Sequence, residues 1–181
     1  NADPADAQAS IQAFASNGAL THLTAFIIPL GLIGILYGLF VLQTGIRDGG
    51  PADALSRYGV QLVLIGVVTW VIASGMWHVM AADAGQSAGA VYAVGQGMNI
   101  VGSLTFALGF VLFSCALSTR DEFNKISAVI VGIVAIISLV ATIIGVTDSG
   151  QLETMTMISG LCYIVFTVWG IMLGLDLMKK E

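Results

Sequence analysis

The gaps between charged residues constrain this chain more than any other feature. Asp6 to Arg47 encloses forty residues without a formal charge, Arg57 to Asp83 twenty-five, and Asp83 to Arg120 thirty-six. Lys125 to Asp148 and Glu153 to Asp176 enclose twenty-two each. A helix crossing the hydrocarbon core needs about 20 apolar residues at about 1.5 Å rise each, and a charge at its centre is costly. Once polar flanks such as Gln8 to Asn17 and Ala84 to Ala90 are set aside, no window holds two spans and a turn. The sequence therefore predicts an all-α integral membrane protein, a compact bundle of five transmembrane helices near residues 21–44, 58–81, 91–118, 124–147 and 152–178. Strands of an outer-membrane barrel would alternate apolar and polar residues. The stretch from Ala128 to Ala141 is apolar at nearly every position, so helices are preferred.

Composition removes the competing classes. Hydrophobic residues make up 57% and charged residues 9%, with a mean hydropathy of +0.94, against globular norms of roughly 45–50% and about 25%. A soluble domain, a disordered tail and a secreted disulfide scaffold are excluded. The net charge is −5 and there is no basic run, so no nucleic-acid partner is expected. The connections are short. In the first, Asp48-Gly49-Gly50-Pro51 is a stop signal, because glycine tolerates a left-handed exit and proline cannot continue the ladder. Residues 21–181 thus read as one five-helix domain, preceded by an extracytoplasmic segment, 1–20. Within that segment, residues 8–16 have the pattern of a weak interfacial helix with Ile11 and Phe14 on one face.

All six basic residues fall on one side of this topology. Arg47 and Arg57 flank the first connection, Arg120 and Lys125 the third, and Lys179 and Lys180 the C-terminus. The positive-inside rule then places the C-terminus in the cytoplasm and the N-terminus outside. The outer side would carry Asp3, Asp6, Asp83, Asp148 and Glu153. The first residue, Asn1, fits either removal of a signal peptide or a numbering that omits residues. A bacterial or archaeal cytoplasmic membrane is the expected location.

What the spans contain narrows the chemistry. None has a Lys, Arg, Asp or Glu near its middle, which argues against a retinal Schiff base and against ion-coupled transport. Pro29 is the only proline within a span, about a turn inside the outer end, where a kink costs little. His22 opens the first span and His78 lies near the end of the second, so both imidazoles reach a similar depth. They are candidates for axial ligation of haem b. With Met80, Asp83, Asp148 or Glu153 they could hold a metal ion instead. An interfacial anchor role beside Trp77 is the preferred reading, with no cofactor. Cys115 and Cys162 lie at depths roughly 20 Å apart, too far for a disulfide, and read as small core residues.

Two further patterns concern packing. Gly31, Gly34 and Gly38 in the first span, Gly95, Gly97, Gly102 and Gly109 in the third, and Gly170 and Gly174 in the fifth recur at close-packing intervals. Gly34 to Gly38 and Gly170 to Gly174 are GxxxG pairs. Packing within the bundle is the simpler expectation, and a docking face for another subunit the alternative. Gln96, Asn99 and Ser103 share a face of the third span and should look into the bundle or a partner, since amides in lipid need partners. A complete nucleophile motif is absent, and the loops are too short for an extramembrane catalytic domain. The expected role is a non-catalytic membrane subunit that stabilises a larger complex, with the lipid bilayer and other integral membrane subunits as partners. The alternatives are a haem b or quinone-associated redox anchor using His22 and His78, and a passive pore lined by Gln96, Asn99 and Ser103.

Overall fold

The computed structural model describes residues 6–82 and 87–178. All secondary structure among them is helical: α1 (Ala7–Ser16), α2 (Gly18–Thr44), α3 (Pro51–Ala82), α4 (Ala88–Ser118), α5 (Lys125–Thr147), a 3-10 turn (Ser149–Gln151) and α6 (Leu152–Met178). Five helices are long and apolar enough to cross a membrane, α2 to α6, the last counted with its 3-10 turn. This is the architecture of a multi-pass membrane protein. The outside of the bundle is as apolar as its core: Phe26, Leu30, Tyr37, Ile126 and Leu161 are all largely exposed. Such a surface suits lipid and would aggregate in water.

Helix starts differ from expectation, α2 beginning at Gly18 rather than 21, and the largest difference, in α3, arises because a charge ends a membrane span without ending a helix. α3 begins at Pro51, well before residue 58. Proline is pre-organised for the first helical position, and Gly49 just ahead of it has φ of +76°, the left-handed turn that glycine permits. Asp53 then secures the first turn. Its carboxylate accepts from Gly49 N at 3.1 Å and from Arg57 Nε at 2.7 Å, one turn on. α4 likewise starts at Ala88 rather than 91. α5 starts at Lys125 because Asn124 is its cap, accepting from Ser127 N at 3.1 Å.

The N-terminal segment docks on the bundle. Asp6 caps α1 by accepting from Ala9 N at 3.0 Å, and Ile11 is 2% exposed against Met80, Ala88 and Tyr92. Phe14 stacks on Trp77 with ring centroids 5.8 Å apart, and its carbonyl accepts from Thr21 Oγ1 at 3.1 Å. α1 therefore closes one end of the bundle. At the other end Arg120 links two loops, donating to Ile46 O at 3.0 Å and pairing with Asp48 at 2.7 Å. Lys125 pairs with Asp121 at 2.6 Å, and its ammonium holds that carboxyl below the usual carboxylate range. Asp3, Asp83, Lys179 and Lys180 lie outside the described residues.

α3 and α4 share the most extensive interface, and glycine makes it so. A Cβ at Gly59 would stand 2.8 Å from Gly109 O, and one at Gly109 would stand 2.6 Å from Gly59 O. At Gly66 it would lie 2.8 Å from Gly102 O. Trp70 is opposite Asn99, donating from Nε1 to its carbonyl at 3.3 Å. Numbers rise along α3 as they fall along α4, so the two helices are antiparallel with backbones touching at two levels one heptad apart. α5 buries a stripe of mostly small residues, Ala128, Val131, Ala135, Ser138 and Ala141, and packs against both α4 and α6. α6 follows α5 and buries Ser159, Cys162, Phe166 and Trp169. α2 packs against α3 from the other side and scarcely meets α6. The cysteine expectation needs one correction: Cys162 is buried, but Cys115 is exposed. It sits on the face of α4 turned away from both α3 and α5, where a thiol meets lipid without cost.

Alanine at position 59 or 109 must push backbone aside, since the obstructing atoms are not at the end of a flexible side chain. Gly59→Ala and Gly109→Ala are expected to lower unfolding stability in detergent by about 1–3 kcal/mol, the usual range for overpacking. Gly34→Ala meets no atom within 4 Å and should be neutral or gain up to about 1 kcal/mol from helix propensity. Thermal unfolding followed by circular dichroism measures both; equal effects at all three positions would contradict the contact.

Candidate functional site

The antiparallel run of α2 and α3 sets His22 and His78 side by side near the α1 end. Their Nδ1 atoms are 2.8 Å apart and the rings lie nearly parallel, 17° between planes with centroids at 5.1 Å. Phe26 covers His78 from one turn below, centroids at 4.7 Å. The contact is a hydrogen bond in which one Nδ1–H donates and the other Nδ1 accepts. One ring at least must therefore be neutral, because two imidazolium rings would present N–H to N–H.

This spacing bears on the ligand alternatives. Metal–imidazole bonds of about 2.0–2.1 Å place two tetrahedral ligand atoms about 3.4 Å apart and two trans ligand atoms about 4 Å apart. At 2.8 Å the two Nδ1 atoms are joined by a hydrogen bond, and a tetrahedral or trans site between them would require the rings to move apart. Two of the further ligands considered from sequence have other contacts. Met80 is buried beneath α1, and Asp148 caps the 3-10 turn by accepting from Gly150 N at 3.0 Å. Asp83 is outside the described residues, and among those described no three His, Cys, Asp or Glu side chains cluster. Trp77 and Tyr92 pack against α1.

The glycines divide into two sets. Gly102 and Gly109 are consumed within the chain, against α3. Gly31, Gly34 and Gly38 on α2, and Gly170 and Gly174 on α6, have no atom within 4 Å of where a Cβ would stand. Those two faces look away from the bundle. Gly59 and Gly66, which the sequence reading passed over, complete the internal contact. Their separation of seven residues matches that of Gly102 and Gly109, and this shared heptad is the signal that would have found them.

The polar residues of α4 have different fates. Ser103 accepts from Tyr163 OH at 3.1 Å, joining α4 to α6. Asn99 uses its carbonyl for Trp70, while its carboxamide has no hydrogen bond among the described residues. Gln96 is half-buried one turn nearer the α1 end. Asn99 also lines an open-sided cavity of about 460 Å³ between α2, α3, α4 and α6. Half of its lining is aromatic, Trp70 and Trp77, Phe106 and Phe110, Tyr163 and Phe166, and the hydroxyls of Ser74 and Thr167, which also line it, donate to Val71 O and Tyr163 O. Ile28, Leu32 and Ile35 of α2 form the aliphatic side. Nothing in the sequence marks this cavity as such, because it arises from how far α2 and α6 are held apart.

The histidine pair makes a testable statement. In a double-mutant cycle, His22→Ala and His78→Ala should couple by about 0.5–1.5 kcal/mol above neutrality, the net value of one neutral hydrogen bond. Additive effects would show that the rings do not meet.

No family model, curated protein or solved structure matches this chain.

Proposed function

We propose that this chain is a non-catalytic subunit of a larger integral membrane assembly in a bacterial or archaeal cytoplasmic membrane. Its N-terminus lies outside and its C-terminus in the cytoplasm. The observation that carries the reading is the outward direction of the glycine faces on α2 and α6. Lipid gives no hydrophobic drive for helix association, so a small-residue face contributes through close backbone approach to another helix. The internal glycines of α3 and α4 have that contact already; Gly34, Gly38, Gly170 and Gly174 have none within the chain. The occupant proposed for each face is a transmembrane helix of another subunit with small residues at its own contact. The described connections are also brief, with Gly45 to Gly50 joining α2 to α3 and Thr119 to Asn124 joining α4 to α5. The orientation rests on the basic residues, all six of which flank connections on one side or the C-terminus.

Gly34→Leu and Gly174→Leu should release co-purifying membrane proteins and reduce the size of the native complex, while circular dichroism of the chain is unchanged. Wild-type size for both variants would remove the support for assembly through these faces. Orientation has its own measurement: cysteine at Asp148 should react with an impermeant maleimide in intact cells and cysteine at Asp121 should not. The reverse labelling would invert the topology.

A further inference from the structure

We propose that the cavity between α2, α3, α4 and α6 binds an uncharged, planar-headed amphiphile, a quinone-like ring carrying an apolar tail. The volume, about 460 Å³, is within the usual range for a small-molecule site, and such sites combine apolar walls with a few polar groups. The walls supply flat surfaces: Trp70 and Tyr163 meet edge-on at 5.3 Å, and Phe110 stacks on Phe166 at 4.7 Å. A ring entering between them finds faces and edges to pack against. No charged side chain lines the cavity, which excludes a phosphate-bearing head.

The polar group left over is the carboxamide of Asn99, with no hydrogen bond among the described residues. Tyr163 and Trp70 have spent their donors on Ser103 and on the Asn99 carbonyl. A ring carbonyl or hydroxyl would give the amide a partner, and an unpaired amide in an apolar surrounding is otherwise costly. Depth distinguishes this ligand from ordinary lipid. Asn99 is about 17 Å along α4 from Ala88 at 1.5 Å per residue, well below the level at which a phospholipid head resides. α2 and α6 form facing walls yet scarcely touch, so the tail can leave sideways into the bilayer between them. This site does not depend on the assembly reading, since all its walls belong to one chain.

The test uses the full chain in lipid nanodiscs with a decyl-substituted benzoquinone as probe. Trp70 and Trp77 are two of the three tryptophans and both line the cavity, so a bound quinone ring should quench indole fluorescence saturably. Asn99→Leu should weaken the probe about 3- to 10-fold, the loss of one hydrogen bond. Leu32→Phe, which places a ring inside the cavity, should abolish saturable quenching while its circular dichroism melt stays near wild type; this variant keeps the test decisive if Asn99→Leu fails to fold. Decanol, tail without ring, should not displace the probe. Quenching that is linear in probe and identical in Leu32→Phe would overturn the proposal, as would displacement by decanol at the concentrations that the quinone requires.

Discussion

Lipid tails are as apolar as a leucine side chain, so burying hydrophobic surface does little to hold five helices together in a bilayer. What remains is close packing, and this chain concentrates it between α3 and α4. Gly59 against Gly109 and Gly66 against Gly102 bring the two backbones within van der Waals contact at two levels. At that distance dispersion acts along the whole interface, and Cα–H groups come within reach of facing carbonyls. The other elements take their places from this pair. α2 lies on α3 and α5 on α4, α6 follows α5, and α1 bridges α3 and α4 at one end. Because α2 and α6 hang from opposite sides of the central pair, they do not close on each other, and the aromatic cavity is the space between them.

The fold was legible from charges alone to a large extent. The five uncharged windows correspond to the five long helices, since the bilayer imposes a length and tolerates few charges within it. Helix ends were read less well where a charge sits inside a helix: Arg57 opens the second window, yet it pairs with Asp53 within the first turns of α3. The burial pattern was less legible still. Every face of a membrane helix is apolar, so hydrophobic periodicity does not say which stripe points inward. Small residues carry that information instead, as the buried Ala128, Ala135 and Ala141 of α5 show beside exposed Ile130, Ile133 and Ile137. Cys115 was misplaced for the same reason.

The candidate sites were legible as residues and not as geometry. Equal depth of His22 and His78 follows from helix direction, but a separation of 2.8 Å between two Nδ1 atoms depends on side-chain placement. At that separation the two rings are hydrogen-bonded to each other. Asn99 was singled out as a polar residue needing a partner, and it lines the cavity. The aromatic walls gather from three helices distant in sequence, so no local motif could announce them. The glycine faces divide by the same principle: identical spacing on α2 and α4 means an outward face in one and a core contact in the other, decided by where the neighbouring helix lies.

The central claim is the backbone contact between α3 and α4, and solid-state NMR of the chain in bilayers addresses it most directly. With glycine α-carbons labelled and positions 59, 66, 102 and 109 assigned, carbon–carbon correlation spectra should show cross-peaks pairing 59 with 109 and 66 with 102. Gly34 and Gly174, with nothing within 4 Å of their missing side chains, should show none to another helix of the same chain. Absence of both internal pairs, or cross-peaks within one chain from Gly34 to the glycines of α6, would contradict the arrangement from which the rest of the structure follows.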